Sequence, residues 1–274
     1  MDGTSLGNQI TGAISDNPSG TVTNKAAILK SNSGKWTLSG TNIYTGNTTI
    51  SAGTLALVGN GSIAKTPNIT IAGGATLDVS GLSSPFILSS TQALNNSSAM
   101  AMIKGNVSTG TGTLALNFAS GTPALVVTNG VLTLSSSTVF QINNSGSQLA
   151  VGSYTLISPS SGGAVGGTVT TNTAVVGGGG AATPATLAMA NGQLNLVVGN
   201  LVNTTPTNIV ASVSGRQLTL QWPADHTGWT LKSNSISLAN PNNWFAVPGS
   251  TTTNKVIITI NPAQANVFYW MTYP

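Results

Sequence analysis

The sequence predicts an all-β protein in two parts, a parallel β-solenoid followed by a small antiparallel β-sandwich. Three observations lead there. Only 4% of the 274 residues are charged, against roughly 25% in ordinary soluble domains. Apolar–polar–apolar triplets recur between Gly, Ser and Asn turns, the period-two signature of strands with one buried face. Beyond about residue 200 the punctuation changes, and four of the five tryptophans lie there.

The scarcity of charge argues against helices. Surface helices draw on Glu and Lys for propensity and i,i+4 pairing. This chain has no glutamate, and its acids are Asp2, Asp16, Asp78 and Asp225. Hydrophobic residues make up 40% of it, enough for a real core. Solubility falls to Ser, Thr, Asn and Gly, and threonine suits the pleated surface of a strand. The net charge of +4 and pI near 9.6 follow from having few acids. Lys25, Lys30, Lys35, Lys65, Lys104, Arg216, Lys232 and Lys255 stand singly, whereas nucleic-acid surfaces need clustered cations. No nucleic-acid partner is expected. The absence of cysteine removes disulfides and thiolate chemistry and suits an extracellular life. The opening MDGTSLGNQITG lacks a charged n-region and an apolar h-region. It reads as the start of a mature region or an excised fragment with an added Met1. No run approaches the ~18 apolar residues of a membrane span.

Taken in order, the expected strands of the solenoid are WTL (36–38), TTI (48–50), LAL (55–57), ITI (69–71) and LDV (77–79). They continue as LAL (114–116), LVV (125–127), LTL (132–134), FQI (140–142), YTLI (154–157) and LNLVV (194–198). TTI to ITI spans 21 residues, and the first LAL to LDV spans 22. Such a period fits one coil of a parallel β-helix, whose apolar face is buried only by stacking on its neighbours. Coils of about 20 residues at ~4.8 Å spacing would give roughly eight to ten rungs. The alternative is a large antiparallel sandwich built from similar short strands.

Gly34–Leu57, GKWTLSGTNIYTGNTTISAGTLAL, resembles the autotransporter-associated β-strand repeat. The matching residues are Gly34, Leu38, Ser39, Gly40, Asn42, Tyr44, Thr45, Gly46, Thr48, Ile50, Gly53, Thr54 and Leu55, while Trp36 replaces the usual Leu. ITIAGGATLDVSG (69–81) is a weaker continuation, and Gly146–Gly167 also resembles later coils of such passengers. The resemblance implies a right-handed β-solenoid on a bacterial surface. On physical grounds Leu38, Ile50, Leu55 and Leu57 are expected to stack inward, and Tyr44 to cap a coil with its hydroxyl in water.

Gly177–Gly180 reads as a flexible loop or a bulged-out turn. The solenoid is assigned to residues 1–199, with 1–33 as a cap or N-terminal extension, and 200–207 as a linker. Residues 208–274 resemble a small fibronectin type III-like sandwich. Leu218, Leu220 and Trp222 are expected on its second strand, and Trp229 and Leu231 on its third. Val256, Ile258 and Ile260 should alternate inward on a later strand, as should Phe268 and Trp270 on the last. The module is short for that family, so a strand is expected to be missing.

Few groups here can do chemistry. Glycoside hydrolysis needs two carboxyl groups roughly 5–9.5 Å apart. Asp78 has no acidic neighbour within a coil's reach in sequence and is expected as a surface residue beside a turn. Asp225 and His226 sit together in PADHTGW, which reads as a turn between strands. No glycine-rich stretch precedes a helix, so no phosphate cradle is expected. No catalytic residue, metal or cofactor is assigned. Trp222, Trp229, Trp244 and Trp270 are the candidate ligand-binding residues, by stacking on sugar rings or else as core.

These readings combine into a non-catalytic, secreted or cell-surface structural or adhesive protein. Self-association is expected head-to-tail into fibres through residues 1–33, where QITGAI (9–14) and AAILK (26–30) offer lightly charged strands. The alternative is a carbohydrate-binding protein using the tryptophans on cell-surface glycans. A polysaccharide-active β-helix enzyme is the reading least supported.

Overall fold

The computed structural model describes residues 1–19, 22–170, 173–174, 176–182, 184–199, 205–264 and 266–273. It divides into two compact units, Met1–Gly199 and Asn200–Pro274. Of the expected linker, residues 200–204 lie outside the described residues.

The first unit opens with β1 (Asn8–Ile10), β2 (Asn17–Ser19), β3 (Val22–Asn24), β4 (Ile28–Lys30), β5 (Lys35–Leu38), β6 (Thr48–Ile50) and β7 (Thr54–Gly59). It continues with β8 (Asn68–Ile71), β9 (Thr76–Leu82), β10 (Phe86–Ile87), β11 (Ala93–Asn96), β12 (Ala101–Lys104), β13 (Val107–Ser108) and β14 (Thr113–Phe118). It closes with β15 (Leu125–Leu134), β16 (Val139–Asn144), β17 (Gly152–Gly167), β18 (Thr173–Ala174), β19 (Val176–Gly178), β20 (Ala185–Ala190) and β21 (Gln193–Val198).

These strands wind as a parallel β-solenoid. One sheet runs β1-β5-β7-β9-β12-β15-β17 in parallel, then turns antiparallel through β21, β20 and β18. The second runs β4-β6-β8-β11-β14-β16-β19, parallel throughout. A short third row, β10 and β13, joins the far half of β15. Among the described residues each sheet thus holds seven parallel strands, fewer than the eight to ten rungs expected. Coil length varies, from steps of 19 and 20 at Trp36 to Leu55 and Ile28 to Thr48 upward. Leu55 pairs with Leu77, Leu77 with Ile103 and Ile103 with Val127, steps of 22, 26 and 24, and Leu125 to Ile157 takes 32.

Period two explains the core. Leu38, Ile50, Leu55 and Leu57 are each 0% exposed, as their inward positions in the triplets required. Every inward residue lies on its counterpart one coil away, so Leu55, Leu77, Ile103 and Val127 form a buried column. Most polar groups inside are paired, the Thr186 hydroxyl of β20 being an exception among the described residues. The buried Asn42, Asn96 and Asn144 each donate to backbone carbonyls at corners, Asn42 to Gly40 and Ser62 at 3.0 Å. At the N-terminal end Lys30 occupies the inward position next to Ile50, and it too is buried. Its ammonium donates to the carbonyls of Ser31, Asn32 and Ala52 at 2.6, 2.6 and 3.1 Å. Desolvation lowers its pKa.

Two expectations are corrected here. The hydroxyl of Tyr44 is inside the coil, at 2.5 Å from Thr48, which donates to Thr66, which donates to the Gly46 carbonyl. Burial pushes its pKa up to about 12 against the Thr48 hydrogen bond. Ultraviolet titration should therefore show a phenolate that forms only near that pH. Since the unfolded chain releases this proton near pH 10, stability should fall as pH rises between those values. The second correction concerns Gly177–Gly180, part of which is strand. Val176–Gly178 is β19, paired in parallel with β16. A Cβ on Gly178 would lie 2.2 Å from the Asn144 carbonyl oxygen, so glycine is what lets the coils approach.

The second unit is a small sandwich of β22 (Val210–Ser214), β23 (Gln217–Gln221), β24 (Thr230–Asn234), β25 (Phe245–Ala246), β26 (Lys255–Thr259) and β27 (Phe268–Thr272). The sheets are β22-β23-β26 and β25-β24-β27, both antiparallel. Leu220, Trp222, Trp229, Leu231 and Met271 form the core between them, with Leu218, Val256, Ile258 and Tyr269 packed against it. Phe268 and Trp270 do not point inward as expected. Met271 pairs with Leu231, which is fully buried, so the alternation of β27 puts Tyr269 and Met271 inside and Phe268 and Trp270 outside. A shift of one residue exchanges the faces of a strand. Ile260 lies past the end of β26 and is 37% exposed, short of the inward position expected.

Candidate functional site

Asp78 is not the surface residue expected. It lies on β9 next to Lys104 of β12 in register, and only 7% of its side chain is exposed. Lys104 donates to its carboxylate at 3.2 Å, Ser80 donates through hydroxyl and backbone N–H at 2.6 and 3.1 Å, and Lys35 stands 3.9 Å away. Burial pushes its pKa up, but the Ser80 and Lys104 bonds outweigh this and hold it below 3.8. The step from 78 to 104 is one coil, longer than the spacings of 21 and 22 residues visible in the sequence.

This geometry is structural. The carboxylate is saturated with donors from the coils themselves. Its stabilisation is present above the unfolded pKa and lost as pH falls through the folded one. Asp78→Asn should cost about 1–3 kcal/mol at neutral pH. The deficit should shrink below pH ~4, as measured by urea unfolding across pH. Asp16 is similarly consumed, accepting the N–H groups of Ala26 and Thr45 at 2.9 Å and the Thr45 hydroxyl at 2.7 Å. These hydrogen bonds, led by the Thr45 hydroxyl, lower its pKa. Asp2 accepts from the Gly3 N–H and from the Asn32 amide.

PADHTGW folds as expected of a turn, with a single 3-10 turn over Ala224–His226. His226 is buried, its Nε2 lies 2.7 Å from the Thr205 carbonyl oxygen, and its ring packs 5.3 Å from Trp229. The side chain of Asp225 lies outside the described residues. Among the described residues, no three His, Asp or Glu side chains gather as a metal site.

The four candidate tryptophans divide evenly. Trp222 and Trp229 are 2% and 6% exposed and belong to the core, so neither presents a face to a ligand. Among the described residues the buried indole N–H of Trp222 meets no hydrogen-bond partner. Trp270 is 56% exposed and meets the half-buried Trp244 edge-to-face at 5.7 Å. Phe268 lies beside it, two residues along β27, and Lys232 directly opposite on β24. Together they make an aromatic face on the outside of the β25-β24-β27 sheet.

Residues 28–57 match the passenger-associated-transport-repeat family model. The matched segment covers β4 to β7, two successive strands of each sheet. It identifies a repeat of autotransporter passenger type, and the parallel strands around it agree with a passenger β-solenoid. Repeats of this kind are typically structural and imply secretion or surface display. No curated protein and no solved structure matches the chain. Among the described residues no helix is long and apolar enough to cross a membrane.

Proposed function

We propose that this chain is a non-catalytic structural and adhesive protein of the cell exterior, with the solenoid as scaffold and the sandwich as a fibronectin type III-like contact module. The observation that carries this reading is the employment of the acids. Asp2, Asp16 and Asp78, the three carboxylates of the solenoid, all serve the fold itself, as corner caps or as the centre of a lysine bridge. What remains outward carries no acid, only scattered lysines, with Lys25 and Lys65 exposed and Lys35 and Lys104 partly so. Along the second sheet the outward row is Leu29, Thr49, Thr70, Asn95, Ala115 and Gln141, a surface for contact rather than proton transfer. Incubation with pectin, alginate, xylan and cellulose should release no product. Reproducible release that disappears in a folded Asp78→Asn variant would overturn the reading.

The exposed pair Trp244 and Trp270 favours a second reading, glycan binding. An oligosaccharide stacked on Trp270 should quench tryptophan fluorescence, and Trp270→Ala should abolish that effect in the full chain. Absence of quenching across a broad glycan panel would leave the scaffold reading alone.

Assembly into fibres through residues 1–33 remains part of the proposal. β1 is an edge strand of the larger sheet, and the charges near it are engaged in the structure, with Lys30 buried and Asp2 and Asp16 bonded. Filaments in negative stain that vanish when residues 1–33 are deleted would support it.

A further inference from the structure

We propose that the sandwich pairs with a second copy of itself, edge to edge through β27, about a twofold axis passing by Trp270. This goes beyond the scaffold reading and does not depend on it.

On β24, Leu231 turns its N–H to the Ser250 hydroxyl and its carbonyl to Val247, both on the β25 side. Residues 230, 232 and 234 therefore bond to β27, opposite Thr272, Trp270 and Phe268. In an antiparallel ladder the alternate residues point the other way. Tyr269 and Met271 thus offer their N–H and C=O groups along the outer side of β27, the last strand of its sheet. These four groups are self-complementary. Two antiparallel copies set Tyr269 against Met271 of the second copy, in doubly hydrogen-bonded pairs, with Trp270 facing its own equivalent between them.

The side chains agree with that partner. Natural edges are guarded by charge, proline or a bulge. β27 reads FYWMT, with no charge and no proline, and its pairing with β24 is regular. Its outward residues Trp270 and Phe268 are 56% and 38% exposed, and pairing would put ring against ring across the new ladder, where aromatic pairs are favourable. No like charges meet. The nearest cation, Lys232, would lie three strand spacings from its equivalent, roughly 14 Å, beyond the screening length of about 8–10 Å.

The opposite sheet also leaves room. All five residues of β22 are exposed. A cleft of about 460 Å³, lined by Val213, Leu218, Ile258, Ile260, Val267 and Tyr269, opens between the two sheets.

The chain has no cysteine, so one introduced thiol reports one contact. In this geometry position 270 faces itself in a non-hydrogen-bonded pair, with Cα atoms about 4.5 Å apart, within disulfide range. Full-length Trp270→Cys under mild oxidation should give a covalent dimer, while Ile257→Cys, equally exposed on β26, should give at least tenfold less. Wild-type chain should sediment with a dimer fraction that grows with concentration, from a monomer of 27.4 kDa. Trp270→Lys or Phe268→Lys, both outside the core, should weaken that association at least tenfold with an unchanged melting temperature. Deleting residues 1–33 should leave it intact, which separates this contact from any fibre contact of the solenoid. A wild-type chain that stays monomeric at submillimolar concentration, or equal cross-linking at 257 and 270, would overturn the proposal.

Discussion

Gly53→Ala should destabilise the solenoid by about 3 kcal/mol or more, a loss in the range reserved for backbone conflict. Gly53 sits between β6 and β7 with φ of 68°, a left-handed conformation that costs an L-residue roughly 1–2 kcal/mol. Space adds to this. A Cβ there would lie 2.4 Å from the Gly34 carbonyl oxygen and 2.5 Å from that of Asn32. These are backbone atoms of the previous coil, and they cannot yield without lifting one rung off another. Gly74 supplies the control. Its φ of 76° is similar, but a Cβ would meet nothing within 4 Å, so Gly74→Ala should cost only the conformational part, about 1–2 kcal/mol. Urea unfolding followed by far-ultraviolet circular dichroism gives the two values. Equal losses would mean that close stacking at this corner is not what fixes glycine.

The second large effect is expected at Ile103→Ala. Ile103 is fully buried in mid-column, between Leu77 one coil before and Val127 one coil after. Deleting three carbons from such a site costs about 2–5 kcal/mol, because the walls relax only in part. In a one-dimensional stack the lost contacts belong to two interfaces at once. The variant should therefore unfold over a broader urea range, as the rungs before and after position 103 separate into semi-independent blocks. The double variant Ile103→Ala with Leu77→Ala should lose less than the two single losses together, since the residues share one cavity. Strict additivity would show that the column does not transmit packing.

How much of this was legible in the sequence depends on the range of the interaction. Inward stacking of Leu38, Ile50, Leu55 and Leu57 follows from period two, a local property, and the structure agrees. Asp78 was misjudged because its partners Lys35 and Lys104 come from other coils, 43 and 26 residues away along the chain. A cross-coil bridge is invisible until the coil length is known. Tyr44 was misjudged for the same reason, since Thr66, the relay that makes a buried hydroxyl tolerable, belongs to the next coil. Gly177–Gly180 looked flexible because composition alone does not separate a glycine chosen for freedom from one chosen for closeness. In the sandwich, the strands that carry Leu220 and Leu231 were readable, whereas the sequence left Trp222 open between ligand contact and the core it joins. The phase of β27 was not, because FYWMT is apolar at nearly every position and only its register with β24 decides which rings face out.

The change of direction beyond β17 has its own consequence. Up to that strand each coil, whatever its length, stacks in parallel on the one before, and after it the antiparallel strands β21 and β20 end the parallel stacking of this sheet. The scaffold therefore has a terminus that is written into the chain and does not depend on how many coils precede it. Its length is a modular quantity. Duplicating a segment such as 55–76, one coil from Leu55 to the residue before Leu77, would add one rung and lengthen the stack by about 4.8 Å. Both ends would stay as they are. Scaffolds of different reach can arise from this design by duplication and loss of coils alone, with the reversed last strands unchanged.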